Sequence, residues 1–511
     1  MLQPKFTKIH AYLTHYAQTQ GDVEAWVDDE RSITYSQAAK WVASLAGAML
    51  AHDVKPGQRV AVYGKPSPEF MALFLAITSI GCVYVGLNPK YSQHELGVVL
   101  DDCEPSLLFN LLDTDVEHAM KIHRLMRTRP SLRQVAGSYL DVFEHDEIEQ
   151  KKLHAIQTAV EPKHIALLVY TSGSTGTPKG AQLTHKGITF IGSVANQPAH
   201  FGVNGQGRTL CNLPINHVGC VIDTCTNSLT AGATIVFQPD FDPDAMLSAI
   251  ETYRLTSIGG VPAMFMVMTR SARFFTTDYS SLQKVIVAGN SPSTALVHGL
   301  QQVMQCTVMN GYGLTEGMGF STFTDADDSA EDIAGTVGRF DPNIEWRLED
   351  GEIQLRGDWL FAGYFRRADA TAEAFTEDGW FRTGDVASLT EEGRIRLVGR
   401  LKEMFKSGGY NVYPLEVEKA LESTDQVAMA VVVPVPDEKY AEVGYAFLVA
   451  DPTIDTELLK TTLRERLANY KIPKYFEVVQ ELPVLPVGKV NRLALKEQAK
   501  NRVAATGSSA A

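Results

Sequence analysis

Cysteine is scarce in this chain and never closely paired. Six residues in 511 (Cys82, Cys103, Cys211, Cys220, Cys225 and Cys306) lie scattered with no CxxC spacing, which speaks for a reduced compartment. The opening MLQPKFTKIHAYLTHYAQ lacks the apolar stretch that heads a secretory signal, so the expected location is cytoplasmic. Long uncharged apolar runs are also missing. The longest, Met71 to Leu87, contains Thr78, Ser79 and Gly81 and then meets Asn88-Pro89, a pattern that predicts a buried helix running into a buried strand rather than a membrane span. Positive charge is in deficit: 46 Lys+Arg stand against 60 Asp+Glu, a formal net charge of -14. Broad, sequence-independent attachment to nucleic acid or anionic lipid is thereby disfavoured, and any phosphorylated ligand has to be held by a local site. Solenoid repeats are absent too.

What is present suits a soluble globular chain. The length suggests two to four domains or one large domain with an appendage, and 45% apolar with 21% charged residues is enough to build real cores. Short β-branched runs such as VAVYG (60–64), IALLVY (165–170), ATIVF (233–237) and KVIVAG (284–289) alternate with longer helical patterns. That alternation predicts an α/β fold with mostly buried sheets. After about residue 340 the texture turns to polar, Gly-punctuated hairpins, EIQLRG (352–357) and DVASLTEEGRIRLVGR (385–400), which predict a small β subdomain over about 340–400. The expected architecture is therefore a large N-terminal domain over 1–401, made of α/β subdomains and that β subdomain, followed by a mobile α+β domain over 402–511. GRLKEMFKSGGYNVYP, rich in glycine and charge, suits the hinge. The tail beyond Leu495, mostly polar and small, is expected to fray.

The strongest chemical signal is TSGSTGTPKG, residues 171–180, directly after the buried run 165–170. Gly173, Gly176 and Gly180 let backbone N–H groups converge. Thr171, Ser172, Ser174 and Thr175 add hydroxyls, and Lys179 adds a positive charge, so the loop can wrap a polyphosphate. It is not the common P-loop, because Pro178 rather than glycine precedes Lys179. A solvated Ser/Gly linker has similar composition, but would not be expected between a buried strand and a further apolar segment.

YTSGSTGTPKG resembles the signature of the adenylate-forming superfamily, which contains acyl-CoA synthetases, peptide-synthetase adenylation domains and firefly-type luciferases. Further blocks follow in that superfamily's order: Tyr312-Gly313-Leu314-Thr315-Glu316, Thr383-Gly384-Asp385, Gly399-Arg400-Leu401-Lys402 and Pro486-Val487-Gly488-Lys489. Singly, each of these is an ordinary surface polar group; the joint match is what carries weight. The resemblance implies that Thr171, Ser172, Gly173, Ser174, Thr175, Gly176 and Lys179 hold the phosphates of ATP. It implies that Tyr312 stacks on adenine beside Gly289 and Asn290, that Thr315 meets the α-phosphate, and that Glu316 holds magnesium, a hard ion suited to carboxylate oxygen. Asp385 takes the ribose with Arg400 assisting, and Lys489 stands between the attacking carboxylate and the α-phosphate, where a cation stabilises two approaching anions. Lys406, Gly408, Gly409 and Asn411 fall where related ligases line the pantetheine tunnel of coenzyme A; a flexible turn after a strand is the other reading of the same glycines.

Two departures bear on the substrate. Gly289-Asn290-Ser291-Pro292 stands where relatives carry Gly-Gly-Ala-Pro, which leaves the local pocket shape open. In LPINHVGCVIDTCTNSLTAGATIV, residues 213–236, the acyl-pocket helix is expected, with His217 near the reacting carboxylate. The position where amino-acid-activating relatives place an acid falls on Gly219, so a plain carboxylic acid is favoured. Asp223, one helical turn further on, could supply such an acid and so spoil this inference, but is read as solvated or capping. Cys220 and Cys225 are read as core thiols without a third cysteine to complete a site. Val261, Phe265, Met268, Gly317, Met318 and Gly319 suit an apolar tail, while Thr224, Thr226 and Asn227 could mark a substituted acid.

The resemblance thus implies an ATP-dependent carboxylic acid:CoA ligase, AMP-forming, acting on a medium-chain, alicyclic or aryl acid, with ATP, magnesium and coenzyme A as cofactors. The alternatives are an adenylating enzyme that loads a carrier protein and a catalytically inactive scaffold of the same fold. A small-molecule acid is the expected partner, with no nucleic acid, no stable membrane insertion and a possible homodimer.

Overall fold

The computed structural model describes residues 2–140, 150–171, 178–424, 426–484 and 490–508. The apolar runs read from the sequence become strands of two large sheets. In the first, six strands lie in the order Arg133–Ala136, Leu107–Asn110, Arg59–Tyr63, Val83–Leu87, Ile165–Thr171 and Lys179–Thr184, parallel except for the antiparallel last pair. In the second, seven strands run Thr307–Asn310, Lys284–Val287, Ser257–Gly260, Arg208–Cys211, Thr234–Phe237, Glu24–Val27 and Ser32–Thr34, again parallel except at the last pair. Strands buried on both faces have no polar side to present, which is why they read as continuous β-branched runs.

The segment PEFMALFLAITS forms the helix Pro68–Ser79, started by Ser67, whose side chain accepts from the Phe70 amide, and by Pro68 in its first turn. It is apolar all round because it is buried all round. Phe70, Phe74 and Ile77 share one core with Val60, Val62 and Phe109 of the six-stranded sheet and with Trp26, Ile235 and Phe237 of the seven-stranded one. The buried helix and following buried strand expected over 71–87 are both present. Among the described residues no helix is long and apolar enough to cross a membrane.

An antiparallel four-stranded sheet follows, Glu345–Glu349, Glu352–Arg356, Phe381–Leu389 and Ile395–Arg400. The C-terminal portion carries its own sheet, in which the long hairpin Val427–Asp437 and Ala441–Ala450 is flanked by Phe405–Ser407, Tyr410–Val412 and the parallel strand Tyr475–Val478. The fold is thus α/β in a large N-terminal part with a smaller α+β part after it. One expectation fails here: the tail does not fray at Leu495. It forms the helix Arg492–Ser508, and Leu495 and Ala499, four residues apart on one face, are buried against Val431, Val433 and Phe447. Small residues in this tail are helix formers that needed only a sheet face to pack on.

Candidate active site

Parallel strands end together, and loops leaving their carboxyl ends share one crevice. In the seven-stranded sheet, Gly260 pairs with Val287 and Val287 with Asn310. The loops beginning at Val261, Ala288 and Gly311 therefore emerge side by side. They carry Gly289 and Asn290, both exposed, with Gly289 in the left-handed region at φ +83° and close to Val261, and they carry Tyr312 to Gly319.

Tyr312 is buried, and its hydroxyl donates to Asp385 Oδ2 at 2.7 Å. Arg400 Nε meets the other oxygen of Asp385 at 2.9 Å, because residues 385 and 400 face each other across the hairpin of the four-stranded sheet. Burial and the Asp385 charge hold the Tyr312 phenol protonated, and that same charge holds the Arg400 guanidinium in its cationic form. The turn Thr315–Gly317 follows, with Thr315 buried and Glu316 half-buried.

The six-stranded sheet contributes as well. Thr171 pairs with Lys179, so the two strands bring the ends of the Gly-rich loop together; Ser172, Gly173, Ser174, Thr175 and Gly176 lie outside the described residues. Lys179 Nζ stands 5.3 Å from the centre of the Tyr364 ring, and the Tyr364 hydroxyl donates to Glu316 Oε1 at 2.8 Å. Burial, then the Glu316 charge, pushes the Tyr364 phenol up. Tyr364 went unnoticed in the sequence. It is 48 positions from Glu316 and reaches it only because Ala181 and Tyr364 form a β-bridge.

His217 lies in the loop entering the helix Gly219–Thr226, and its Nδ1 accepts from the Gly219 amide at 3.0 Å, which puts the ring proton on Nε2. That helix is a π-helix, wider than an α-helix and frequent at functional sites. Its threonines hold it: Thr224 donates to the Gly219 carbonyl at 2.8 Å and Thr226 to the Val221 carbonyl at 2.7 Å, each five residues back. Those hydroxyls donate within the helix, which accounts for them without a substituted acid. Asn227 likewise donates its amide to the Asp223 carbonyl at 3.0 Å. Asp223 is neither solvated nor capping, since its Oδ1 is buried beside Gly319 and burial pushes its carboxyl up to about 8. Phe265 and Met268 are fully buried in the core with Val285 and Leu300, so their apolar character serves packing.

The reading of Cys220 and Cys225 as core thiols holds for burial, since both are fully enclosed. A third cysteine does accompany them, however: the strand Arg208–Cys211 brings the Cys211 sulfur to 3.5 Å from each. None of the six cysteines forms a disulfide.

Lys406, Gly408, Gly409 and Asn411 belong to the C-terminal sheet. Lys406 pairs with Asn411 across a hairpin whose two central residues, Gly408 and Gly409, have φ of +57° and +89°, the conformation a tight two-residue turn requires. All four are exposed. Lys489 and its neighbours 485–488 lie outside the described residues.

The model of the family described as AMP-binding enzyme matches residues 13–365, and that of the AMP-binding enzyme C-terminal domain matches 416–489. This chain belongs to the AMP-binding enzyme family. Among similar proteins, a feruloyl-CoA synthase of Amycolatopsis sp is 34% identical over 472 residues, covering 90% of this chain and 92% of the relative. A 3-[(3aS,4S,7aS)-7a-methyl-1,5-dioxo-octahydro-1H-inden-4-yl]propanoyl:CoA ligase of Mycobacterium tuberculosis is 32% identical and covers 96% and 98%. Among solved structures, ATP-bound MatB from Rhodopseudomonas palustris superposes with a TM-score of 0.82 at 25% identity, covering 97% and 99%. The anthranilate CoA ligase AuaEII holding anthranoyl-AMP shares the fold, with a TM-score of 0.85 at 22% identity and coverage of 98% and 99%. The AMP-binding enzyme described here accordingly presents its clustered residues, Tyr312, Asp385, Arg400, Glu316, Tyr364 and Lys179, on the fold of a nucleotide-using family.

Proposed function

We propose that this AMP-binding enzyme is an acid–thiol ligase that joins a carboxylic acid to ATP as an acyl-adenylate, with loss of pyrophosphate, and then passes the acyl group to the thiol of coenzyme A with release of AMP. The observation that carries this reading is the convergence of two hydrogen-bonded sets at one crevice: Tyr312 and Arg400 on Asp385, and Tyr364 on Glu316 under Lys179. Relatives named as CoA ligases over nearly their full length support the same reading.

In this reading Asp385 faces the ribose, its lone pairs already oriented by the Tyr312 hydroxyl and the Arg400 guanidinium. Thr171 and Lys179, with Ser172, Gly173, Ser174, Thr175 and Gly176 between them, hold phosphate oxygens. Gly289 and Asn290 border adenine, and Thr315 donates toward the α-phosphate. Glu316 fits a hard cation, because its half-buried carboxylate is held in place at one oxygen by the Tyr364 hydroxyl. A magnesium ion there supplies positive charge to the phosphates. His217, its Nδ1 held by the Gly219 amide, borders the reacting carboxylate. Lys489 offsets the repulsion between the two anions as they meet.

For transfer, the domain over 402–511 turns about Lys402, withdrawing Lys489 and bringing Gly408 and Gly409 to the pantetheine arm, with Lys406 and Asn411 at its flanks. The exposed Gly–Gly turn offers backbone without side chains, which lets a thin chain approach closely. The acid itself is read as apolar in its body, alicyclic, aryl or medium-chain, in line with the ring-bearing acids named for relatives, feruloyl and indoleacetate among them.

The test is ATP–pyrophosphate exchange and AMP release with a panel of such acids, with coenzyme A, with a phosphopantetheinylated carrier, and with neither. Exchange followed by coenzyme A thioester supports the reading; thioester on the carrier alone overturns the acceptor, and no exchange with any acid overturns the chemistry. Glu316→Gln should raise the magnesium needed for half-maximal turnover roughly tenfold, because a hard-ion site loses charge as well as a ligand. An unchanged magnesium dependence would remove Glu316 from the metal role.

A further inference from the structure

Three cysteines have no task in the ligase reading, yet they meet. Cys211 ends the strand Arg208–Cys211, and Cys220 and Cys225 lie on the π-helix Gly219–Thr226. In an α-helix two residues five apart diverge by about 140°, whereas a π-helix, bonded five residues back, sets them one above the other. That register brings Cys220 and Cys225 to one face, and the strand end presents Cys211 to it, its sulfur 3.5 Å from each of theirs. All three sulfurs lie within 4.8 Å of one another, and among the described residues no other three His, Cys, Asp or Glu side chains converge in this way. Zinc gives the scale: sulfurs at about 2.3 Å around a tetrahedral ion stand about 3.8 Å apart, so the spacing here is close to that of sulfurs sharing one central atom.

Charge decides which atom that is. The cluster is fully enclosed in the apolar core that also holds Tyr84, Leu229 and Phe237. Three thiolates around a monovalent or divalent ion leave net negative charge, which is costly to bury without a partner. Zinc also completes its shell with a fourth ligand, and the cluster offers three. A trivalent centre is neutral with three thiolates and needs no fourth. We propose that Cys211, Cys220 and Cys225 form a three-sulfur site for a trivalent thiophilic metalloid, taken up as the neutral hydroxide of arsenic(III). Each thiol gives its proton to one hydroxyl of the arsenic; three As–S bonds form, three As–O bonds break and three waters leave, with no change of oxidation state. Because the sulfurs are enclosed, entry waits on a local opening of the helix, so binding is slow and its rate levels off as arsenite is raised. Once bound, the metalloid ties the strand end to the helix across residues 212–218, the segment that carries His217.

The test uses the full-length protein, kept reduced with a phosphine rather than a thiol, incubated with sodium arsenite and freed of excess by gel filtration. Retained arsenic is measured by elemental analysis and by intact mass under native conditions. One arsenic per chain is expected, with a mass gain of one arsenic less three hydrogens. An adduct heavier by one water keeps a hydroxyl, holds the arsenic by two sulfurs only, and overturns the three-sulfur site. Cys211→Ala, Cys220→Ala and Cys225→Ala should each weaken retention roughly 10²-fold, the scale of losing one of several linked contacts. Cys82→Ala, Cys103→Ala and Cys306→Ala should leave it unchanged. Equal retention in all six variants, or none by the wild type, overturns the proposal, and so does zinc that displaces arsenite in competition. Circular dichroism checks that each variant folds; should one of the first three fail, the wild-type mass still decides between three sulfurs and two.

Discussion

Asp385 has both carboxylate oxygens engaged by protein groups, which in the proposed role sets how rigidly it would meet a ribose. Removing the phenol with Tyr312→Phe takes one charge-assisted bond from Oδ2 and should raise KM for ATP roughly tenfold, about the worth of one such bond, with kcat at saturating ATP little changed. An unchanged KM would mean that Arg400 alone orients Asp385. Asp223 makes a second prediction that needs no substrate. Its folded value, about 8, lies above the ordinary carboxylate value near ~3.9, so between these limits the folded protein keeps a proton that the unfolded chain has released. The stability this proton supports is full below the unfolded value and is lost as pH rises through about 8. The Cys220 and Cys225 thiols on the same helix are pushed up by burial and stay neutral in this window. Asp223→Asn carries no such proton, so urea denaturation should show the variant gaining on the wild type from pH 5 to pH 8. Parallel pH profiles would place the Asp223 carboxyl in solvent.

The elements that frame the crevice were legible in the sequence to different degrees. Ile165–Thr171 and Lys284–Val287 announce themselves, because a strand buried on both faces has no polar alternation to confuse the reading. The helix Gly219–Thr226 was expected as a helix, but its π geometry was hidden, since it depends on threonine hydroxyls reaching carbonyls five residues back. The close approach of this helix to Gly319 was equally hidden. Gly319→Ala would press a methyl group onto Asp223 at a φ that L side chains rarely adopt, and should cost about 2 kcal/mol or more in thermal or urea unfolding while altering the turn that carries Glu316. A shift within the error of measurement would show that strand and helix can part without consequence. The Gly408–Gly409 turn illustrates the reverse. Both glycines were noticed for a ligand, and the hairpin geometry explains them already, with φ above zero at both positions.

At the scale of the molecule, two half-reactions with opposite needs share one chain. Lys402 sits exposed in the short turn Leu401–Glu403, between the last strand of the four-stranded sheet and the first of the C-terminal one. Lys402→Pro fixes φ near roughly -65° and removes a donor, so it should trap one orientation. Pyrophosphate exchange should stay near the wild-type rate while thioester release from isolated acyl-adenylate slows; a wild-type rate of thioester release would remove the hinge from Lys402. Lys489→Ala should act the other way, lowering adenylate formation roughly 10²- to 10³-fold, the effect of one lost electrostatic stabiliser, and sparing transfer from pre-made adenylate. Equal loss in both steps would point to a folding defect. Arg492 is tied by both its terminal nitrogens to Glu418 at 2.7 Å, which anchors the start of the helix Arg492–Ser508 to the helix Pro414–Glu422.

By itself the sequence determined the α/β class, the Gly-rich loop after a buried run, and the ordered blocks that mark the family. These are local matters, settled by periodicity, by glycine where φ is unusual, and by motifs contiguous in the chain. Tertiary structure alone decided that Tyr364 holds Glu316, that Cys211 joins Cys220 and Cys225, that Leu495 and Ala499 give the tail a packed face, and that Asp223 points at a buried edge rather than at solvent. Each of these depends on which distant backbone lies within a few ångströms. A residue's own chemistry says what it can bond to; only the packing of other elements around it says whether water, protein or a substrate is there to be bonded.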